Sequence, residues 1–207
     1  MKIVVYGAGG RAGRQAVAEA QRRGHQVTAV VRDPAGHRDL DDVRVMAGDV
    51  TDPVSIGQTA AGQDAAISAA VDLSVPPHDF FTASSRALTT GLAQAGVRRL
   101  VVVGLAPVLP GASGAALMDE PGYPNEYRSF YLGHAAGLAE LRAGDLDWAY
   151  LAPAGDFDHG GTRTGGYRLA EHGDPASRIS YPDFAIALLD EIETPRHHRA
   201  AASIREE

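Results

Sequence analysis

Apolar and polar positions follow two recurring periods along this chain. Short, nearly continuous apolar runs such as Ile3-Val4-Val5-Tyr6, Val27-Thr28-Ala29-Val30-Val31, Leu100-Val101-Val102-Val103 and Trp148-Ala149-Tyr150-Leu151 are separated by longer stretches with apolar residues every three or four positions. Runs of that length without in-and-out alternation suit strands covered on both faces, and the longer period suits helices. The pattern predicts strands near 2–6, 26–31, 43–47, 64–69, 99–104 and 147–151, with helices between most of them. Such alternation is the signature of an α/β fold built on a Rossmann-type, doubly wound parallel sheet.

Local signals mark where elements start and stop. A helix over Ala12–Arg23 is stopped by Gly24, and Asp52-Pro53 supplies an N-cap followed by proline at the first helical position. Tyr181-Pro182-Asp183 opens a last amphipathic helix ending at Glu193, and His198–Ile204 reads as a final edge strand. No linker or internal repeat interrupts residues 1–207, which read as one domain. Two segments rich in glycine and small or polar residues, 104–126 and 154–180, break the rhythm after predicted strands. Open α/β sheets place ligands at the C-terminal ends of their strands, so these small elements are expected to wall a substrate pocket.

The most informative local feature follows the first strand: Gly7-Ala8-Gly9-Gly10-Arg11-Ala12-Gly13. Glycines 7, 10 and 13 fit the G-x-x-G-x-x-G spacing. A glycine turn between strand and helix brings backbone N–H groups close to a pyrophosphate, and the helix's positive end favours the anion. A dinucleotide site is therefore expected, with Gly7, Gly9, Gly10, Arg11, Ala12 and Gly13 forming its phosphate loop.

Composition narrows the chemistry. The chain has no cysteine, so it has no disulfide framework, thiol nucleophile or cysteine-based metal site. Its formal charge is −7, and its arginines are dispersed, which argues against a nucleic-acid partner. The N-terminal run does not read as a signal peptide and no segment approaches a membrane span, so a cytoplasmic protein without a membrane partner is expected. No metal site is expected: Asp156-Phe157-Asp158-His159 reads as a polar turn. Of the 19 Lys and Arg residues, only Lys2 is a lysine.

Taken together, GAGGRAG, GHQVTAVVRDP, VMAGDVTDP, AGQDAAISAA, LVVVGLA, ELRAGDLDWAYLAPA and RISYPDFAIALLDEIE resemble the atypical short-chain dehydrogenase/reductases. The resemblance is to the NmrA-like NAD(P)H-binding group, which includes reductases of the flavin and biliverdin type. It implies that Asp49 meets the adenine, that Val50 belongs to the cofactor site, that Ala69 and Ala70 line the nucleotide, and that Pro153 and Ala154 lie near the nicotinamide. At the end of the second strand the usual carboxylate position holds Val31, and Arg32 follows. A cation there suits a 2′-phosphate, so NADP is the expected cofactor, NADPH being preferred over NADH. Arg11 or Arg38 offers a second phosphate partner, while Asp33 offers the competing contact to a ribose diol.

Typical members of that superfamily use a Ser and a Tyr-x-x-x-Lys pair, in which the lysine lowers the tyrosine pKa for proton transfer. The matching positions here hold Gly104-Leu105-Ala106, Phe130 and His134. With Lys2 the sole lysine, no shift of register restores the pair. His134, Tyr127 and Tyr131 remain as catalytic candidates, the tyrosines lying at helical spacing that lets both face the cleft. The expected function is an NADP(H)-dependent oxidoreductase passing hydride to a small flat acceptor, with Phe80, Phe81, Tyr123, Phe130 and Phe157 lining the pocket. The alternatives are a non-catalytic NADP(H)-sensing regulator and, with less support, an epimerase or dehydratase. A small-molecule substrate and a monomer or weak homodimer complete the expectation.

Overall fold

The computed structural model describes residues 1–37, 40 and 42–207. Among the described residues, ten strands and five α-helices follow in the order β1 (Lys2–Tyr6), α1 (Arg11–Arg22), β2 (Gln26–Val31), β3 (Arg44–Ala47), α2 (Pro53–Ala60), β4 (Ala65–Ser68), α3 (Pro77–Gln94), β5 (Arg99–Val103), α4 (Arg128–Ala143), β6 (Asp147–Pro153), β7 (Asp156–Asp158), β8 (Arg168–Ala170), β9 (Arg178–Ser180), α5 (Tyr181–Glu193) and β10 (Ala200–Arg205). The main sheet runs β3-β2-β1-β4-β5-β6-β10-β8, and only the β10–β8 pairing is antiparallel. The sequence-predicted α/β doubly wound sheet is the observed one.

Strict alternation within each strand explains the continuous apolar runs. Ile3 and Val5 belong to one core cluster, together with residues of α1 and α5 such as Ala16, Val17, Leu188 and Ile192. Val4 and Tyr6 belong to the other, with Ile56 of α2, Leu88 and Leu92 of α3, and Leu138 and Leu141 of α4. A strand with helices on both sides has no solvent face, so neither parity can be polar.

The predicted final strand is present but is not an edge. β10 lies between β6 and β8, because the 154–180 segment returns along it and adds β8 as the antiparallel edge. Neither expected pocket segment is unstructured. Gly173 N–H donates to Pro110 O at 2.9 Å, which joins the two segments, and Asp174 N–H donates to Ala154 O at 2.8 Å, which closes the second segment on itself.

Dispersed arginines act as staples between these layers. Arg23, the C-cap of α1, bonds Glu19 at 3.0 Å and reaches Asp190 and Glu193 of α5 at 2.8 and 2.6 Å. Buried Arg99 of β5 holds Glu191 at 2.8 Å and Asp147 at 3.1 Å. Guanidinium groups suit this use because their planar donor fork satisfies several acceptors at once.

Candidate functional site

Strand order reverses between β1 and β4, and a cavity of about 500 Å³ opens there at the C-terminal ends of β1, β2, β3 and β4. Open α/β sheets bind ligands at this topological switch point. Its lining includes Gly7, Gly9 and Gly10, Arg32, Asp49 and Val50, and Ala69 and Ala70. Of the other expected cofactor residues, Arg11, Ala12, Gly13 and Pro153 are not in the lining. Pro153 is buried at the end of β6, where Ile204 is its register partner in β10.

The glycine loop has little room for side chains. Gly7 has φ +73°, and a Cβ there would lie 2.6 Å from backbone atoms of Ala69 and Ala70. At Gly13 a Cβ would lie 2.1 Å from Gly7 O, so this glycine lets α1 approach β1 without itself reaching the cavity. Gly10 is the N-cap of α1, no side chain caps it, and the first turn contains no acidic residue. The first-turn N–H groups and the positive end of the helix therefore suit an anion. Closely packed glycines, an uncapped helix start and a cavity of this size fit a dinucleotide with its pyrophosphate at the loop.

Arg32 stands at the cavity wall, its side chain 70% exposed and paired with Asp72, which lies between β4 and α3. Asp33 is occupied elsewhere, since its carboxylate accepts from Ala35 N–H at 3.0 Å and caps the following turn. Arg38 lies outside the described residues. Arg11 points across to His159 beyond β7. Asp49 accepts from Thr51 N–H at 2.8 Å and Thr51 Oγ1 at 2.7 Å, which fixes the turn after β3.

The lining residues that escaped the sequence reading include His37 and Asp72. The His37 ring lies over Gly9 and its Nδ1 is 3.1 Å from Arg14 Nη2. Asp72 carried a readable signal: Asp-x-Ser after a strand forms an Asx turn, and here Ser74 N–H and Oγ both donate to Asp72 Oδ1 at 2.9 and 2.6 Å.

None of the three catalytic candidates lines this cavity. Tyr127 is the N-cap of α4, before its regular turns, and is 65% exposed, so helical spacing does not carry it toward the cleft. Tyr131 is buried edge-on to Tyr123, with ring centroids 6.0 Å apart. Burial, and secondarily the Asp156 charge, push its hydroxyl above the ordinary range. Proton transfer by a short-chain-reductase tyrosine needs the opposite shift, supplied by a nearby cation.

His134 is 8% exposed, packed between Phe81 at 3.8 Å and Phe130 at 5.0 Å between ring centroids. Its Nδ1 lies 3.0 Å from the Tyr150 hydroxyl, which also accepts Leu105 N–H at 3.0 Å. Burial lowers the His134 pKa to about 3, so the ring is neutral at physiological pH. The expected aromatic pocket disperses as well. Phe80 lines the cavity, Phe81 and Phe130 enclose His134, and Phe157 stacks on Tyr181 at 4.2 Å.

Comparison with known proteins agrees with this geometry. The NAD(P)H-binding family profile matches residues 7–195. The uncharacterised protein YwnB of Bacillus subtilis is 37% identical, with 95% of this chain and 94% of that protein covered. A Burkholderia pseudomallei structure provisionally described as an exported protein is 39% identical, covers 99% of each chain and superposes with a TM-score of 0.85. A Streptococcus pneumoniae structure provisionally described as an NADH-flavin reductase is 32% identical, covers 100% of each chain and has a TM-score of 0.84. The chain belongs to the NAD(P)H-binding family, within the atypical, NmrA-like short-chain dehydrogenase/reductases that its motifs resemble.

Proposed function

We propose that the protein is an NADPH-dependent reductase acting on a small flat acceptor, a flavin, quinone or aromatic carbonyl, in the cytoplasm where the reductant is supplied. One observation carries the acceptor class: the positions of the usual proton relay hold Gly104-Leu105-Ala106, Phe130 and a buried His134 with a pKa of about 3. A substrate reduced here must take its proton from water or need none in the rate-determining step, which favours easily reduced conjugated acceptors. When bound, the reduced nicotinamide supplies the hydride.

The chain's own residues bind and orient. The loop at Gly7, Gly9 and Gly10 and the N-terminus of α1 would receive the pyrophosphate, and Arg32 the 2′-phosphate. Val50, Ala69 and Ala70 offer apolar wall to the nucleotide. The Streptococcus relative, provisionally named as a flavin reductase, supports the same acceptor class.

A second reading, an NADP(H)-sensing regulator, is favoured by one feature. Val71, Leu73 and Val75 beside the cavity are 47%, 79% and 41% exposed, an apolar loop suited to a protein partner. The deciding experiment titrates NADPH and NADH by fluorescence, then follows absorbance at 340 nm with FMN, simple quinones and aromatic aldehydes. Turnover with any of these establishes the reductase. Tight NADPH binding without turnover across the panel favours the regulator.

A further inference from the structure

Arg32 follows β2 and Asp72 follows β4, the two strands that flank β1, and both side chains line the cavity. Their ion pair therefore links opposite walls of the space read above as the dinucleotide site. The Asp72 carboxylate is divided between two tasks. Oδ1 accepts from Ser74 N–H and Oγ, while Oδ2 faces the Arg32 guanidinium. The Asx turn thus fixes a negative charge against the cation that a 2′-phosphate would use.

We propose that Asp72 is a specificity-determining residue, an internal anion that occupies Arg32 and must be displaced from it by the 2′-phosphate. The proposal rests on the reading of this cavity as a nucleotide site. A 2′-phosphate approaching Arg32 gains a charge-assisted contact but loses the existing pair and meets a pinned carboxylate of like sign. A nucleotide with a free 2′-hydroxyl meets no such opposition. Asp72 therefore narrows the preference for NADPH that Arg32 creates. Arg32 is largely exposed, so its pair with Asp72 is weak enough to be exchanged.

Asp72→Asn separates the two tasks, because the amide oxygen can still accept from Ser74 while the charge is removed. Calorimetric titration with adenosine 2′,5′-bisphosphate and with ADP isolates the 2′-phosphate from turnover. The expected result is bisphosphate affinity about three- to tenfold tighter in Asp72→Asn, ADP affinity changed by less than about twofold, and a smaller gain when Asp72→Asn is added to Arg32→Ala. An unchanged or weaker bisphosphate affinity, or an equal gain for both ligands, overturns the role of Asp72 while leaving the nucleotide site intact. A wild-type protein that binds neither ligand overturns both.

Discussion

Gly13→Ala tests whether the glycine loop is shaped by backbone contact. The added Cβ would lie 2.1 Å from Gly7 O, 2.8 Å from Gly7 C and 2.9 Å from Ala8 Cα. An aliphatic carbon ordinarily meets a carbonyl oxygen at roughly 3.3–3.6 Å, so strand and helix must separate by about 1 Å. All three obstacles are backbone, and no side chain can turn away. Overpacking costs about 1–3 kcal/mol, and this site belongs at the upper end, offset by at most about 1 kcal/mol of helix propensity. A net loss of about 2 kcal/mol lowers the midpoint of thermal unfolding by about 4–8 °C for a chain of this size. Gly10→Ala is the control, because its nearest contact is 3.4 Å and its φ is −79°. Replacing a glycine N-cap by alanine costs under about 1 kcal/mol, or at most about 4 °C. Gly13→Ala should also weaken NADPH, since the displaced Gly7 O accepts Gly10 N–H at 3.0 Å and holds the turn. A Gly13→Ala midpoint within 2 °C of wild type would refute the packing argument.

Arg32→Ala should weaken NADPH by about tenfold or more and NADH much less, read by fluorescence titration; equal losses would remove the guanidinium from 2′-phosphate recognition. His134 has a folded pKa of about 3 against an ordinary 6.5, so between those values the unfolded chain binds more protons. Stability should therefore fall as pH drops through that window and be insensitive to this residue above it. From pH 7 to 4.5 wild type should lose about 2–3 kcal/mol that His134→Gln does not, measured by urea unfolding, and parallel pH curves would contradict the assignment. Asp183 is buried and accepts from Thr164 N–H, Thr164 Oγ1, Gly165 N–H and Ser180 Oγ, tying the 160–166 loop to the start of α5. Asp183→Ala should cost about 3 kcal/mol and open the loop to trypsin at Arg163; an unchanged cleavage pattern would show the loop is held otherwise.

Sequence was a good guide wherever local chemistry and periodicity coincide. α5 spans Tyr181–Glu193 as read, because Ser180 caps Asp183 N–H at 3.1 Å and proline fixes the first turn. The glycine loop was legible for the same reason: Gly10 and Gly13 answer to Gly7 O and Gly7 to the end of the neighbouring strand β4. β8 was not legible, since a three-residue strand in a polar segment has no period, and only pairing with Ser203–Arg205 makes it one. That pairing turned the expected edge strand into an interior one. The catalytic candidates failed on a related point. Helical spacing says which residues share a face, whereas packing of α4 against α3 decides which face is buried, and it buries His134 against Phe81.

This burial also gives a physical account of the absence of a serine at 104 and of a lysine at 134. A Cβ at Gly104 would lie 2.1 Å from the ring of Tyr150, so any larger residue there, serine included, conflicts with the tyrosine on β6. The Tyr150 hydroxyl in turn accepts Leu105 N–H, fixing the backbone at the end of β5, and needs a buried polar neighbour, which His134 provides. An ammonium in place of that imidazole would be a charge enclosed by Phe81 and Phe130, with no carboxylate among its described partners. Tyr150, Gly104 and His134 thus form one solution to the packing of β5, β6 and α4, incompatible with a serine at 104 and unfavourable to a lysine at 134. Restoring either group alone would break the network before it restored a proton relay. Under the proposed function, this chain would use an acceptor that needs no relay, or would not turn over at all, and the acceptor panel distinguishes the two.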